Sequence, residues 1–248
     1  MSAVMTSLPL EFRRLTRTGL LTALLAAFAF FGLAGPGLAV AMPDLLRAAG
    51  TEQLTINAAA ATPQDGIALY TQSAMQLGLI LAAATAITAL GWDTRNGTAI
   101  FYRTRATRLA SLTLPRFLVD VLAAVGAYTL GLALAAALTA LVIGPVPVDL
   151  MISTWGPGAV YLIFAMSMAH LVMTMLRRTA TAIAVTIVIL LVLPLASQID
   201  ILAAWSPTSL ITGHLTHPGP MFSAIVIAGV FHVCAAYLAP LQRLRRDG

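Results

Sequence analysis

DTRNGTAIFYRTRATRLASLTLPR, residues 93–116, decides how the rest of this chain is read. It carries Asp93, Arg95, Arg103, Arg105, Arg108 and Arg116, six charges in a protein with only 14 basic and 9 acidic residues. On its N-terminal side, residues 66–92 hold no charge at all; on its C-terminal side, residues 117–148 are interrupted only by Asp120. A helix crosses the hydrocarbon core of a bilayer with about 20 apolar residues. The stretch therefore reads as a cytosolic handle between two membrane spans.

Composition places the whole chain in the same solvent. Apolar residues make up 59% of the 248, charged residues 9%, and the mean hydropathy is +0.91. A soluble domain carries close to a quarter of charged residues, so water is excluded as the surroundings of most of this surface. The formal charge of +5 is all arginine. A nucleic-acid surface needs those arginines gathered on an exposed face. Here they lie between apolar runs, so the charge reports topology and no nucleic acid is expected as a partner. The single cysteine, Cys234, forms no intrachain disulfide and is expected to be a small core residue of its apolar run.

Working outward, residues 1–17 mix Glu11, Arg13, Arg14 and Arg17 with Leu8, Leu10, Phe12 and Leu15. That pattern predicts an amphipathic helix lying in the membrane interface. Spans follow at about 18–42, 67–92, 117–143, 158–176, 179–198 and 221–240. The first also imitates a secretory signal, with an arginine cluster, an apolar stretch and Ala39-Val40-Ala41; retention as a span is the expectation. Residues 44–65 read as an external loop with room for a short helix, residues 144–158 as a loop because they hold three prolines and Trp155, and Pro194 is expected to kink the fifth span. Residues 199–220 are apolar but broken by Pro207, Gly213 and Pro218, which fits a re-entrant extracellular hairpin shielded by protein or water. With both termini and the 93–116 loop in the cytosol, thirteen arginines lie inside and Arg47 alone outside, while five acids lie outside. The opposite orientation would invert the positive-inside bias.

Within the spans, Gln72, Ser73 and Gln76 are polar groups at membrane depth, two of them on one helical face. They are candidates for lining a route, or alternatively for the outer headgroup zone or a helix–helix hydrogen bond. Phe30 and Phe31 are further pathway candidates. Arg116 and Asp120, four apart, are placed to pair at the interface, and Ala123, Ala127, Gly131 and Ala135 form a small-residue stripe for close helix contact. His170 shares a face with Met166 and Met173, yet that face holds no second His or Cys. A helix–helix hydrogen bond is therefore expected of His170 and His232, and no metal site. There is no HExxH, no GxSxG and no phosphate loop, so no catalytic residue is assigned.

Asp93, Arg95, Gly97-Thr98 and Arg108, followed by a helix with Arg116 at its mouth, resemble the signature of type-2 ABC transporter permeases. Pro43-Asp44-Leu45-Leu46, Pro63, Tyr70, Gln76-Leu77-Gly78 and Ser206-Pro207 add to the resemblance. Asp93 stands where glutamate is more usual, and the common proline before Arg108 is absent. The resemblance implies an all-α membrane protein with six transmembrane helices, an N-terminal interfacial helix and a cytosolic coupling helix between spans 2 and 3. It also implies the bacterial cytoplasmic membrane, two separate ABC ATPase subunits and a second permease copy, a homodimer favoured over a heterodimer. No cofactor belongs to this chain; ATP and Mg sit in the partner ATPase. Asp93, Arg95, Gly97, Thr98, Arg103, Arg105 and Arg108 would couple to that ATPase, Gly97 permitting the turn, Thr98 capping the helix and the arginines meeting acidic partners or lipid headgroups. The exported molecule would be lipophilic or amphipathic. The alternatives are a permease-like sensor or immunity module, and a haem- or copper-related membrane protein.

Overall fold

A computed structural model of the chain describes residues 2–49, 60–91, 110–196, 199, 204–211 and 218–244. Every regular element among them is helical: α1 (Ser2–Arg17), α2 (Leu20–Ala49), α3 (Pro63–Leu90), α4 (Ala110–Val142), α5 (Val148–Leu176), α6 (Thr179–Ala196) and α7 (Gly219–Leu244), with a 3-10 turn at Pro207–Leu210. In lipid an unsatisfied backbone amide costs several kcal/mol, so a spanning segment keeps its hydrogen bonds within itself. Five helices are long and apolar enough to cross a membrane: Leu20–Leu45, Pro63–Leu90, Thr113–Val142, Val148–Leu176 and Gly219–Ala236. The chain is a multi-pass helical membrane protein. The apolar helix Thr179–Leu195, within the expected fifth span, is shorter than these.

Local chemistry sets the joints. Gly19, at φ +72°, turns the chain from α1 into α2, a left-handed conformation glycine adopts without penalty. Thr62 starts α3 with a capping box: its amide and hydroxyl both donate to Asp65 Oδ2, at 2.8 and 2.7 Å, and Pro63 fills the first helical position. Arg177, at φ 54°, closes α5 with its amide donating to the Met173 carbonyl (2.9 Å).

Two helices outrun their sequence boundaries. α2 continues through Pro36 and Pro43 to Ala49, into the region read as a loop. α5 begins at Val148 and passes through Pro157, so most of the expected 144–158 loop is helix. Proline removes one amide donor and crowds the preceding turn. At that turn the buried Tyr128 hydroxyl reaches in from α4 and donates to the Thr154 carbonyl (3.1 Å). Gly158 gives the Tyr128 ring its room, since a Cβ there would collide with the hydroxyl. A third irregularity is the π-helical segment Ala74–Gly78 inside α3.

α5 is the axis of the bundle and packs against α3, α4, α6 and α7; α2 lies on the other side, against α1, α3 and α4. The tightest approach is between α2 and α4. A Cβ on Gly32 would run into the Gly131 carbonyl, and one on Gly131 would lie 2.5 Å from the Phe28 carbonyl and 2.7 Å from the Tyr70 hydroxyl. Ala127 and Ala135 of the small-residue stripe are fully buried along the same helix. Phe28, Tyr70 and Tyr128 fill the space beside it, with Tyr70 stacked on Tyr128 (5.8 Å between rings) and its hydroxyl donating to the Tyr128 carbonyl (2.6 Å).

Gly32 and Gly37 share one helix, but a Cβ on Gly37 meets nothing within 4 Å. Gly32→Leu is therefore expected to destabilise the bundle by about 3 kcal/mol or more through forced separation of α2 and α4, whereas Gly37→Leu leaves it unchanged or slightly firmer. Thermal unfolding in mild detergent, followed by far-UV circular dichroism, checks the contrast.

Candidate functional site

The most concentrated polar feature of the described structure lies where α1 meets the start of α4. Glu11 and Arg14 are three apart on α1, and Arg116 and Asp120 four apart on α4, so each pair presents both members on one face. The faces meet. Arg116 Nε donates to Glu11 Oε1 (2.8 Å), Arg14 Nε donates to Glu11 Oε2 (2.8 Å), and Arg14 Nη2 reaches Asp120 Oδ1 (3.4 Å). Glu11 thus gives one oxygen to each guanidinium, and Arg14 bridges two carboxylates with different nitrogens, as a planar fork of donors allows. Among the described residues the cluster joins two arginines and two carboxyl groups. Arg116 and Asp120 are buried, and Glu11 and Arg14 are partly covered. Asp120 Oδ2 has no hydrogen-bond partner among the described residues.

The sequence placed Arg116 opposite Asp120. In the structure the hydrogen bonds of both reach across to α1, while Arg116 remains close enough to Asp120 to act on it electrostatically. Charges taken out of water are tolerated when each meets an opposite partner with good geometry, and removing one member strands the others. The cluster therefore fixes α1, an amphipathic helix whose Leu15 is fully buried while Leu10 and Phe12 are exposed, onto the mouth of α4.

The pathway candidates lie elsewhere. α2 and α3 run antiparallel: a Cβ on Gly35 would lie 2.7 Å from the Tyr70 amide, and one on Gly78 would lie 2.8 Å from the Phe28 ring. Phe30 and Phe31 therefore lie level with Gln72, Ser73 and Gln76. Phe30 is 64% exposed, Phe31 is half-buried against the core, and their rings meet edge-on at 5.7 Å. Gln72 and Gln76 are exposed and Ser73 half-buried, so the amides point out of this single chain, beside the π-helical segment. Asp93, Arg95, Gly97, Thr98, Arg103, Arg105 and Arg108 lie outside the described residues.

A second cluster joins α5 to α7. His170 Nδ1 and His232 Nε2 are 3.4 Å apart, His232 Nδ1 lies 3.3 Å from the Ala228 carbonyl, and the Phe117 ring packs on both imidazoles, at 5.4 and 4.1 Å. The bond expected of these histidines thus forms between the two of them. Among the described residues no third His, Cys, Asp or Glu joins them, and Cys234, two residues beyond His232, is exposed and not the core residue expected. His214 and His217 lie outside those residues. No family model matches the chain, and no curated protein matches it.

A double-mutant cycle on Glu11 and Arg116, using Glu11→Gln and Arg116→Gln, is expected to give a coupling energy of about 1–3 kcal/mol, as contacting members of one ion network do. Denaturation in a mixed detergent series measures it. Additive single effects would show that the 2.8 Å bond does not hold α1 to α4.

Proposed function

We propose that the chain is the membrane-spanning permease subunit of an ATP-driven exporter of the type-2 ABC class, working as a pair of permeases with two separate ATPase subunits. Six spans, both termini and the 93–116 segment on the cytosolic side, and a bacterial cytoplasmic membrane complete the reading. Six spans require Thr179–Ala196 to cross along with the five longer helices. Residues 199–220 form the extracellular hairpin. Its described part supports this: Pro207, Thr208 and Leu210 are buried, Ser206 Oγ accepts the Thr208 amide, and Ser223 ties Trp205 to the start of α7 (2.5 Å).

The observation that carries the proposal is the α1–α4 ion cluster. The segment with the permease-like signature ends at Arg116, and Arg116 is bonded to Glu11 of α1. A displacement of that segment by an ATPase would then be delivered to two elements at once, the interfacial helix and the third span. Through α1 it reaches α2, which carries Phe30 and Phe31. An ATP-driven permease needs such rigid transmission, because loosely held ends would dissipate the movement before it reached the membrane. The cargo is a lipophilic or amphipathic molecule, in keeping with the apolar outward faces of α2 and α7.

Two measurements test this. With the partner ATPase present, Arg108→Glu is expected to abolish ATP-dependent movement of cargo in inverted vesicles while assembly is retained; unchanged movement removes the coupling role. In a Cys234→Ala background, Thr98→Cys is expected to resist an impermeant maleimide added to intact cells and to react after permeabilisation. Labelling from outside overturns the orientation.

A further inference from the structure

We infer that the outward face of α1 is a binding site for anionic phospholipid, with Arg13 and Arg17 holding the phosphate of one headgroup between them. The inference rests on the membrane placement of the chain and is independent of ATP coupling.

Depth limits what lies against this face. Gly19 joins α1 directly to α2, whose span begins at Leu20. On the other side Glu11 is bonded to Arg116 and Arg14 reaches Asp120, three and seven residues inside the start of the span Thr113–Val142. At about 1.5 Å per residue, those contacts lie roughly 5 and 10 Å along α4 from its entry. An amphipathic helix rests its apolar side at that depth, about 5–10 Å into the boundary of headgroups and acyl chains. Two spans therefore hold α1 at headgroup level, and lipid surrounds its free side.

Charge selects the lipid. Glu11 is the only acid of α1, and its bonds to Arg14 and Arg116 turn it inward, with 13% of its side chain exposed. The charges left on the outward face are Arg13 and Arg17, both exposed and without an ion partner among the described residues. They stand four apart, which puts their Cβ atoms about 6 Å from each other on one face. Like charges at that spacing oppose each other, and the roughly half charge at the C-terminal end of a helix is too small to offset two guanidiniums. An anion between them removes the conflict, and each guanidinium offers a phosphate two parallel donors.

At about 100° per residue, the two arginines fall between Leu10 and Phe12 around the exposed arc. Leu10 and Phe12 are 65% and 52% exposed. These apolar side chains enter the acyl layer while the arginines rise to the phosphates. A zwitterionic headgroup brings its own cation to the same place; phosphatidylglycerol does not. An acidic protein surface would meet the arginines but offers no acyl layer to Leu10 and Phe12.

The test places a bimane on Phe12→Cys of the full chain in a Cys234→Ala background. The vesicles hold equal parts of phosphatidylcholine and phosphatidylglycerol, and one or the other carries a nitroxide high on an acyl chain. Phosphatidylglycerol is expected to quench with an association constant roughly fivefold that of phosphatidylcholine, equivalent to about 1 kcal/mol of preference. Arg13→Gln with Arg17→Gln is expected to bring the ratio to one, and Arg13→Lys with Arg17→Lys to keep most of it. Arg178→Gln, which removes an exposed charge on the α5–α6 turn, is expected to leave it unchanged. Equal quenching by the two lipids in the parent chain overturns the site, as does a ratio that survives loss of both arginines or is lost equally in the lysine pair. So does quenching by neither lipid, which would place a protein surface against α1.

Discussion

The contact of two backbones at Gly32 and Gly131 is the constraint on which this bundle depends. In lipid there is little hydrophobic gain from bringing apolar helices together, because the tails are as apolar as the side chains. What remains is the quality of packing, and that improves steeply when small residues let helices approach. With α2 and α4 in contact at Gly32, Phe28 is carried into the angle between α3 and α4. Tyr70 then stacks on Tyr128, and the Tyr128 hydroxyl is directed to α5 beside Pro157. Four helices are thus ordered around one aromatic cluster. A larger residue at either glycine would separate the helices that hold those rings in place.

The second constraint is electrostatic and lies at the opposite extreme of side-chain character. A buried carboxylate such as Asp120 is costly where water is scarce, and a single cation beside it would leave a strong dipole in a poor solvent. Among the described residues, two acids and two arginines are distributed over α1 and α4, so each carboxyl group meets a guanidinium. This requires α1 to be present, since Glu11 holds Arg116 and Arg14 reaches Asp120. Helix α1 thus contributes to the solvation of the first turns of α4 as well as resting on the bundle.

Much of this could be read from the order of residues. Uncharged runs of more than 20 residues announced the long helices, and the spacing of charged and apolar residues in 1–17 announced α1. The prolines of 144–158 misled, because a rule learned in water treats them as boundaries, while α5 runs through Pro157 and Tyr128 donates to the Thr154 carbonyl near the interrupted turn. The ion cluster was half legible: Arg116 and Asp120 share a face by spacing, but their partners are more than a hundred residues away, a distance no local pattern encodes. The same holds for His170 and His232, 62 residues apart, each of which looks alone in its own helix. The polar face of α3 was legible as Gln72 and Gln76, but the π-helical segment Ala74–Gly78 that contains Gln76 has no signature in residue order. The arginines and turn residues of 93–108 lie outside the described residues, so their assignment rests on the resemblance alone.

Taken together, the two constraints act on the same helix. α4 is held at its start by ions and at its middle by the glycine contact, while α3, which ends at Leu90 just before the 93–116 segment, is held by its own contacts to α2, α4 and α5. The described residues on both sides of the segment therefore belong to one packed unit of α1, α2, α3 and α4. α7 packs chiefly against α5 and the 3-10 turn, and much of its surface is open, with Phe222, Ile225 and Val233 exposed. The contacts thus divide the bundle into a densely joined α1–α4 block and an α7 that rests mainly on α5.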